Sequence, residues 1–144
     1  MNILDLSQSP PPSVAIDTTA QRAAAVLRRS QSGAVIVLET GKMVGVLSER
    51  DLVYRCVGKG LDPRRTKVSE IMTQDVAKVG PDASREFAFE LMTARHIRHL
   101  AVVDARNRPI GLLSLRTLAQ AQVESAADQI RTLPAFAGAD APGG

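Results

Sequence analysis

The nine residues VGVLSERDL, Val44 to Leu52, return in altered form as IGLLSLRTL, Ile110 to Leu118. An internal repeat constrains a chain more than composition does, because both copies must take the same local structure and bury the same kind of face. Val79-Gly80-Pro81-Asp82 falls on Val14-Ala15-Ile16-Asp17 at an offset of 65, and Gly111 falls on Gly45 at an offset of 66. The extra residue lies between Asp104 and Arg108, opposite the shorter Glu39-Thr40-Gly41-Lys42, where a surface turn absorbs an insertion at little cost.

Each copy reads as β-α-β-β-α. In the first, Val14 and Ile16 alternate as a short strand does, and Asp17, Thr18 or Thr19 caps a helix from Ala20 to Arg29. Ala34-Val35-Ile36-Val37-Leu38 is β-branched, short and bounded by turn residues, the pattern of a strand buried on both faces. Thr40-Gly41-Lys42 turns the chain, Met43 to Leu47 returns as a partner strand, and a helix runs from Ser48 to about Val57. The second copy predicts a strand at Val76–Val79, a helix at Ala83–Arg95, strands at Leu100–Val103 and Ile110–Leu113, and a longer helix from Leu115 to about Arg131. Val68-Ser69-Glu70-Ile71-Met72 reads as a helical lead-in, parallel to Ile3-Leu4-Asp5-Leu6. The fold class is therefore α+β, divided as residues 1–60 for the first repeat with its lead-in, 61–67 for a linker, 68–131 for the second repeat and 132–144 for a flexible tail. That tail is rich in Ala, Gly and Pro, with Phe136 its one large apolar group.

At 144 residues and 44% hydrophobic, two half-size units sharing one core are the expected arrangement. No apolar run approaches the roughly 18 residues that span a bilayer, and the start lacks the pattern of a secretion signal, so a cytoplasmic protein without membrane contact is expected. The net charge of +3 is scattered apart from Arg64, Arg65 and Lys67, and 3% aromatic residues leave little for base stacking, which argues against a nucleic-acid binder. The single cysteine, Cys56, reads as a small core residue rather than a reactive thiol. His96 and His99 lack cysteine or carboxylate companions at ligand spacing, so no metal site is expected. No nucleophile with an adjacent base and no phosphate-cradling glycine loop is present in the pattern, so no enzyme activity is expected.

Three motifs occur twice in the same order: VAIDTTAQRAAAVL with VGPDASREFAFELM, GAVIVLE with IRHLAVVD, and GVLSERDL with GLLSLRTL. With this element order they resemble the cystathionine-β-synthase (CBS) domain, and the pair, over roughly Leu4 to Val123, resembles a Bateman module. The phrase VSEIMTQDV is similar to the lead-in that opens the second domain in bacterial members. The resemblance implies sheets packed about a pseudo-two-fold axis, two clefts for adenosine-type nucleotides, no required cofactor, and a disc-like homodimer. It also implies a regulatory role towards an enzyme or transporter.

Two readings of Ser48-Glu49-Arg50-Asp51 stand side by side. Ser-x-x-Asp can cap a helix and do nothing more. The same hydroxyl and carboxylate can also take a phosphate and the two hydroxyls of a ribose. The resemblance favours contact with AMP, ADP, ATP or S-adenosylmethionine by Ser48 and Asp51, with Ala83 and Ala88 around the base and Arg98 and His99 near phosphate. The second cleft would be lined by Thr18, Ala23, Gly33, Ala34, Ser114 and Thr117. There Thr117 replaces the aspartate, and Gly33 and Ala34 replace Arg98 and His99, so this cleft is expected to be empty, weak or used by an uncharged ligand. The alternative to a nucleotide sensor is a ligand-free module for protein interaction or dimerisation, with Leu52, Val53, Leu118 and Ala119 as the candidate apolar contacts.

Overall fold

A computed structural model describes residues 1–132; the predicted tail, with Phe136, lies outside the described residues apart from Thr132. The chain runs α1 (Ile3–Leu6), β1 (Ser13–Ala15), α2 (Ala20–Ser30), β2 (Ala34–Glu39), β3 (Lys42–Ser48) and α3 (Glu49–Asp51), the last continuing as a π-helical stretch, Leu52–Val57. The second half is α4 (Val68–Ile71), β4 (Lys78–Val79), α5 (Arg85–Arg95), β5 (His99–Val103), β6 (Pro109–Ser114) and α6 (Leu115–Arg131). Each half forms a three-stranded sheet, β1-β2-β3 or β4-β5-β6, whose first pair is parallel and whose second is antiparallel. The repeat extends to defects: the register slips after Val37 in one sheet and after Val102 in the other. Both first helices end on a residue in the left-handed region, Gln31 at φ 52° and His96 at φ 54°.

The two turns differ as the extra residue requires. Thr40 and Gly41, at φ 50° and 79°, form a two-residue hairpin turn between paired Glu39 and Lys42. In the second copy the Asp104 carboxylate accepts the N–H groups of Arg106 and Arg108, each at 2.9 Å, and Asn107 takes the positive φ. The Arg108 N–H bond, with those of Arg106 and the Arg108 side chain, holds the Asp104 carboxyl below its usual range.

Helix starts follow their caps. Ser84 Oγ accepts the Phe87 N–H at 3.0 Å, so α5 opens at Arg85, two residues later than the apolar pattern predicts, just as Thr19 precedes α2. The helix expected from Ser48 to Val57 is α-helical only to Asp51; beyond it the wider π turn puts Cys56 into the core at 0% exposure. β4 is shorter than the predicted Val76–Val79, since only Lys78 and Val79 pair with β5.

Alternation along the central strands divides the core into three parts. Val35 and Val37 of β2 face their own helices, whereas Ala34 and Ile36 face the other sheet, where they meet Ala101 and Leu112. Leu100 and Val102 of β5 turn back to α5 and α6. The two repeats therefore pack sheet against sheet through small and branched side chains.

The lead-ins cross over. Ile3 of α1 is fully buried among Leu100, Val102 and Leu113 of the second repeat, and Ile71 of α4 with Met72 just after it lies in the core of the first. Gln8 exchanges two backbone bonds with Leu112, at 2.9 and 3.0 Å, and Thr73 does the same with Val46. The glycine of each repeated motif makes this approach possible. A Cβ on Gly45 would lie 2.9 Å from the Thr73 carbonyl oxygen and 2.7 Å from Met72 Sδ, and one on Gly111 would lie 2.9 Å from Ser7 Cβ.

Two consequences can be measured by denaturant unfolding. Ile3→Ala should destabilise the whole protein by about 2–5 kcal/mol, since it empties a fully buried site. Gly45→Ala should cost about 1–3 kcal/mol, because backbone has to move to admit the methyl group.

Candidate functional site

Between the repeats lies a cavity of about 320 Å³ in which Ser48 and Asp51 of the first repeat face Arg98 and His99 of the second. The repeated strands place them there. Ser48 ends β3 and His99 begins β5, and in each repeat the antiparallel ladder runs one step past the strand ends: Gly33 O accepts the Glu49 N–H at 2.9 Å and Arg98 O accepts the Leu115 N–H at 2.8 Å.

Asp51 is 7% exposed, and its carboxylate is already engaged. Oδ2 accepts the Ser48 N–H at 3.0 Å while Ser48 Oγ accepts the Asp51 N–H at 3.1 Å, so the capping box is formed. The Thr73 hydroxyl stands 3.3 Å from both carboxylate oxygens, and Arg55 Nε is 3.7 Å from Oδ1. Arg55 is anchored in turn by the carbonyl of Met72 at 3.1 Å. A carboxylate offers about four lone-pair positions, so this aspartate caps its helix and retains accepting capacity toward the cavity.

His99 packs its ring against Gly33: a Cβ there would lie 2.8 Å from Nε2 and 3.2 Å from Glu49 Oε1. Burial pushes the imidazole below its ordinary range; the Glu49 carboxylate opposes this and Arg98 reinforces it. His99 is accordingly neutral at pH 7, a hydrogen-bonding wall and not a cation.

Ser48, Asp51, Arg98 and His99 are thus brought together, whereas Ala83 and Ala88 are not. Ala88 is fully buried in the second core, and Ala83 packs on that core. Ala88 lies on α5, which covers the far face of its own sheet, and Ala83 precedes that helix, so the wall facing Asp51 is built instead from Val46, Val76, Ala77 and Ile97. Thr73 escaped the sequence reading because it belongs to a lead-in that crosses between repeats; its alignment with Gln8 was the available signal.

The second cleft is wider, about 1200 Å³, and contains Gly33, Ser114 and Thr117 of the expected set. Thr18, Ala23 and Ala34 lie elsewhere. The Thr18 carbonyl accepts the Val68 N–H at 2.8 Å beside the linker, Ala23 is in the first core, and Ala34 is in the layer between the sheets. Of the apolar candidates for a subunit contact, Leu118 is wholly committed to its own core, while Leu52, Val53 and Ala119 border this wide cleft. Among the described residues there is no cluster of potential metal ligands and no helix long and apolar enough to cross a membrane.

Comparison with known proteins agrees with this architecture. The family model for the CBS domain matches twice, over residues 3–58 and 68–124. The CBS domain-containing protein YhcV of Bacillus subtilis is 35% identical over 112 residues, covering 78% of this chain and 79% of that protein. Inosine-5'-monophosphate dehydrogenase of Methanocaldococcus jannaschii is 36% identical over 89 residues, 62% of this chain but 17% of the enzyme. A signal-transduction protein with CBS domains from Burkholderia ambifaria superposes with a TM-score of 0.77 at 26% identity, covering 86% of this chain and 95% of that one. The CBS domain pair of MJ0100, solved with 5'-methylthioadenosine and S-adenosyl-L-methionine, shares the fold with a TM-score of 0.79 at 19% identity, over 87% and 98% of the two chains. With two matched domains, their paired sheets and their repeated motifs, the chain belongs to the CBS-domain family as a tandem pair.

Proposed function

We propose that this CBS pair is a non-catalytic regulatory module that binds an adenosine-type ligand in the cleft containing Asp51. The observation that carries the reading is Asp51 itself: a nearly buried carboxylate, oriented by Ser48, Thr73 and Arg55, on the wall of a cavity closed by the other repeat. A ribose presents two adjacent hydroxyl donors to such a carboxylate, and Val46, Val76 and Ala77 supply apolar surface for a base. The adenosyl ligands of MJ0100, which has the same fold, support this class.

Charge narrows it further. The wall carries Arg50, Arg55 and Arg98 against Glu49, Asp51 and Asp75, three of each sign, and His99 is neutral. That balance suits S-adenosylmethionine, a nucleoside or a monophosphate better than a triphosphate. Because the two repeats contribute opposite walls, a ligand that prefers one spacing of them shifts their packing, and this is the signal a regulated enzyme or transporter would read. Val53, Val57 and Val123, 54%, 67% and 69% exposed, supply an apolar face through which two modules pair as a homodimer.

Melting curves with AMP, ADP, ATP and S-adenosylmethionine should show stabilisation, strongest for the less charged ligands. Asp51→Ala should weaken binding roughly ten- to a hundredfold and also cost about 1 kcal/mol of stability through the lost cap. Asp51→Asn keeps an acceptor for the Ser48 N–H, so it should lose affinity with little loss of stability; unchanged affinity in both variants would overturn the assignment. Thr117→Ala should leave binding of these ligands unaltered. Light scattering should give twice the chain mass at micromolar concentration.

The lowered pKa of His99 has a fixed sign. Between its folded value and the ordinary imidazole value near 6.5, the unfolded chain binds the extra proton, so stability is fully present above that range and falls as pH drops through it. Denaturant unfolding between pH 5 and 8 should show this rise, and His99→Gln should flatten it.

A further inference from the structure

The wide cleft carries a different charge from the narrow one. Its wall includes Arg28 of α2, Arg98 before β5 and Arg116 of α6, and one carboxylate, Glu49. None of the three arginines lies within ion-pair distance of a carboxylate among the described residues. Counting formal charges along the walls, the narrow cleft sums to zero and the wide one to +2. The substitution that removes ribose recognition produces part of this difference, since Thr117 stands where its counterpart Asp51 would place a negative charge. The hydroxyls there are arranged to donate: Ser114 Oγ accepts the Thr117 N–H at 3.1 Å and gives its own proton to Thr117 Oγ1 at 2.9 Å. The Thr117 proton then has no acceptor among the described residues.

We propose that the wide cleft is an anion site for a chain of linked phosphates, recognised without a nucleoside. Arginines from three parts of the chain border one cleft, and each guanidinium can pair with phosphate oxygens through planar paired hydrogen bonds; a chain of linked phosphates can engage several of them at once, which a single small anion cannot. The expectation of an empty, weak or uncharged-ligand site rested on Thr117 in place of the aspartate and on Gly33 and Ala34, which stand opposite Arg98 and His99 in the alignment. The tertiary structure supplies the charge from Arg28 and Arg116 instead, and Arg98 borders both clefts. The site shares Arg98 with the proposed adenosine cleft, but the proposal does not rest on that reading.

The test is calorimetric titration of the full chain with sodium tripolyphosphate at constant ionic strength, with sulfate as the simple anion. Tripolyphosphate should bind more tightly than sulfate, and Arg28→Gln and Arg116→Gln should each weaken it roughly five- to tenfold. Asp51→Ala and saturating adenosine should leave it unchanged. ATP titrated into Asp51→Ala separates a free oligophosphate from a nucleotide tail: equal or weaker affinity than tripolyphosphate supports the proposal, and affinity more than roughly tenfold tighter means the nucleoside is recognised and overturns it. No binding, binding equal to sulfate, unchanged affinity in both arginine variants, or displacement by adenosine would also overturn it. Failure of adenosine to bind anywhere would instead count against the function of the narrow cleft alone.

Discussion

The crossed lead-ins are the constraint on which the rest of the molecule depends. Each repeat has a three-stranded sheet and two helices, too little to enclose its own core, and the missing side chains arrive from the segment that precedes the other repeat. Ile3 completes the second core, and Ile71 with Met72 completes the first. Gly45 and Gly111 hold this exchange in register, because a side chain at either would meet the incoming segment. The motif glycine is thus explained by close passage of another chain segment and not by turn geometry.

The same exchange builds the narrow cleft. Thr73 is carried to Asp51 by the bridge with Val46, and the carbonyl that anchors Arg55 belongs to Met72, next to it in the chain. A nearly buried carboxylate needs hydrogen-bonding partners, and here Ser48 and Arg55 of its own repeat are joined by Thr73 from across the repeat boundary. Core completion and site formation are in this sense one event: moving the lead-in by a residue would expose Ile71 and strip Asp51 of Thr73 together.

Backbone symmetry coexists with chemical asymmetry. The strand pairings, their register slips and the bonds that extend each ladder correspond closely, yet Asp51 faces Thr117 in the alignment and Arg98 faces Gly33. A duplicated scaffold gives two clefts at corresponding strand ends, one of about 320 Å³ and one of about 1200 Å³, and substitutions along their walls give them different charge. Gly33, Glu49, Arg98 and His99 border both clefts, so the wall between them is shared. An ion or ligand that draws on Arg98 from one side changes what the other side can use.

Repetition, strand alternation and turn residues made the element order of both repeats legible in the sequence, because it follows from local periodicity and from burial of one face; the two-fold packing of the sheets was implied only by the family resemblance. That Ser48, Asp51, Arg98 and His99 border one cavity was legible through the family resemblance, which places the turn after β3 opposite the start of β5. Ala83 and Ala88 were misplaced because alignment says which residues correspond but not which face of a helix meets which cleft. The crossing of the lead-ins, Thr73 beside Asp51, the π turn that buries Cys56, and the arginines of the wide cleft were decided by tertiary structure alone. Each depends on residues far apart in the chain meeting in space, and no local period or cap records such a meeting.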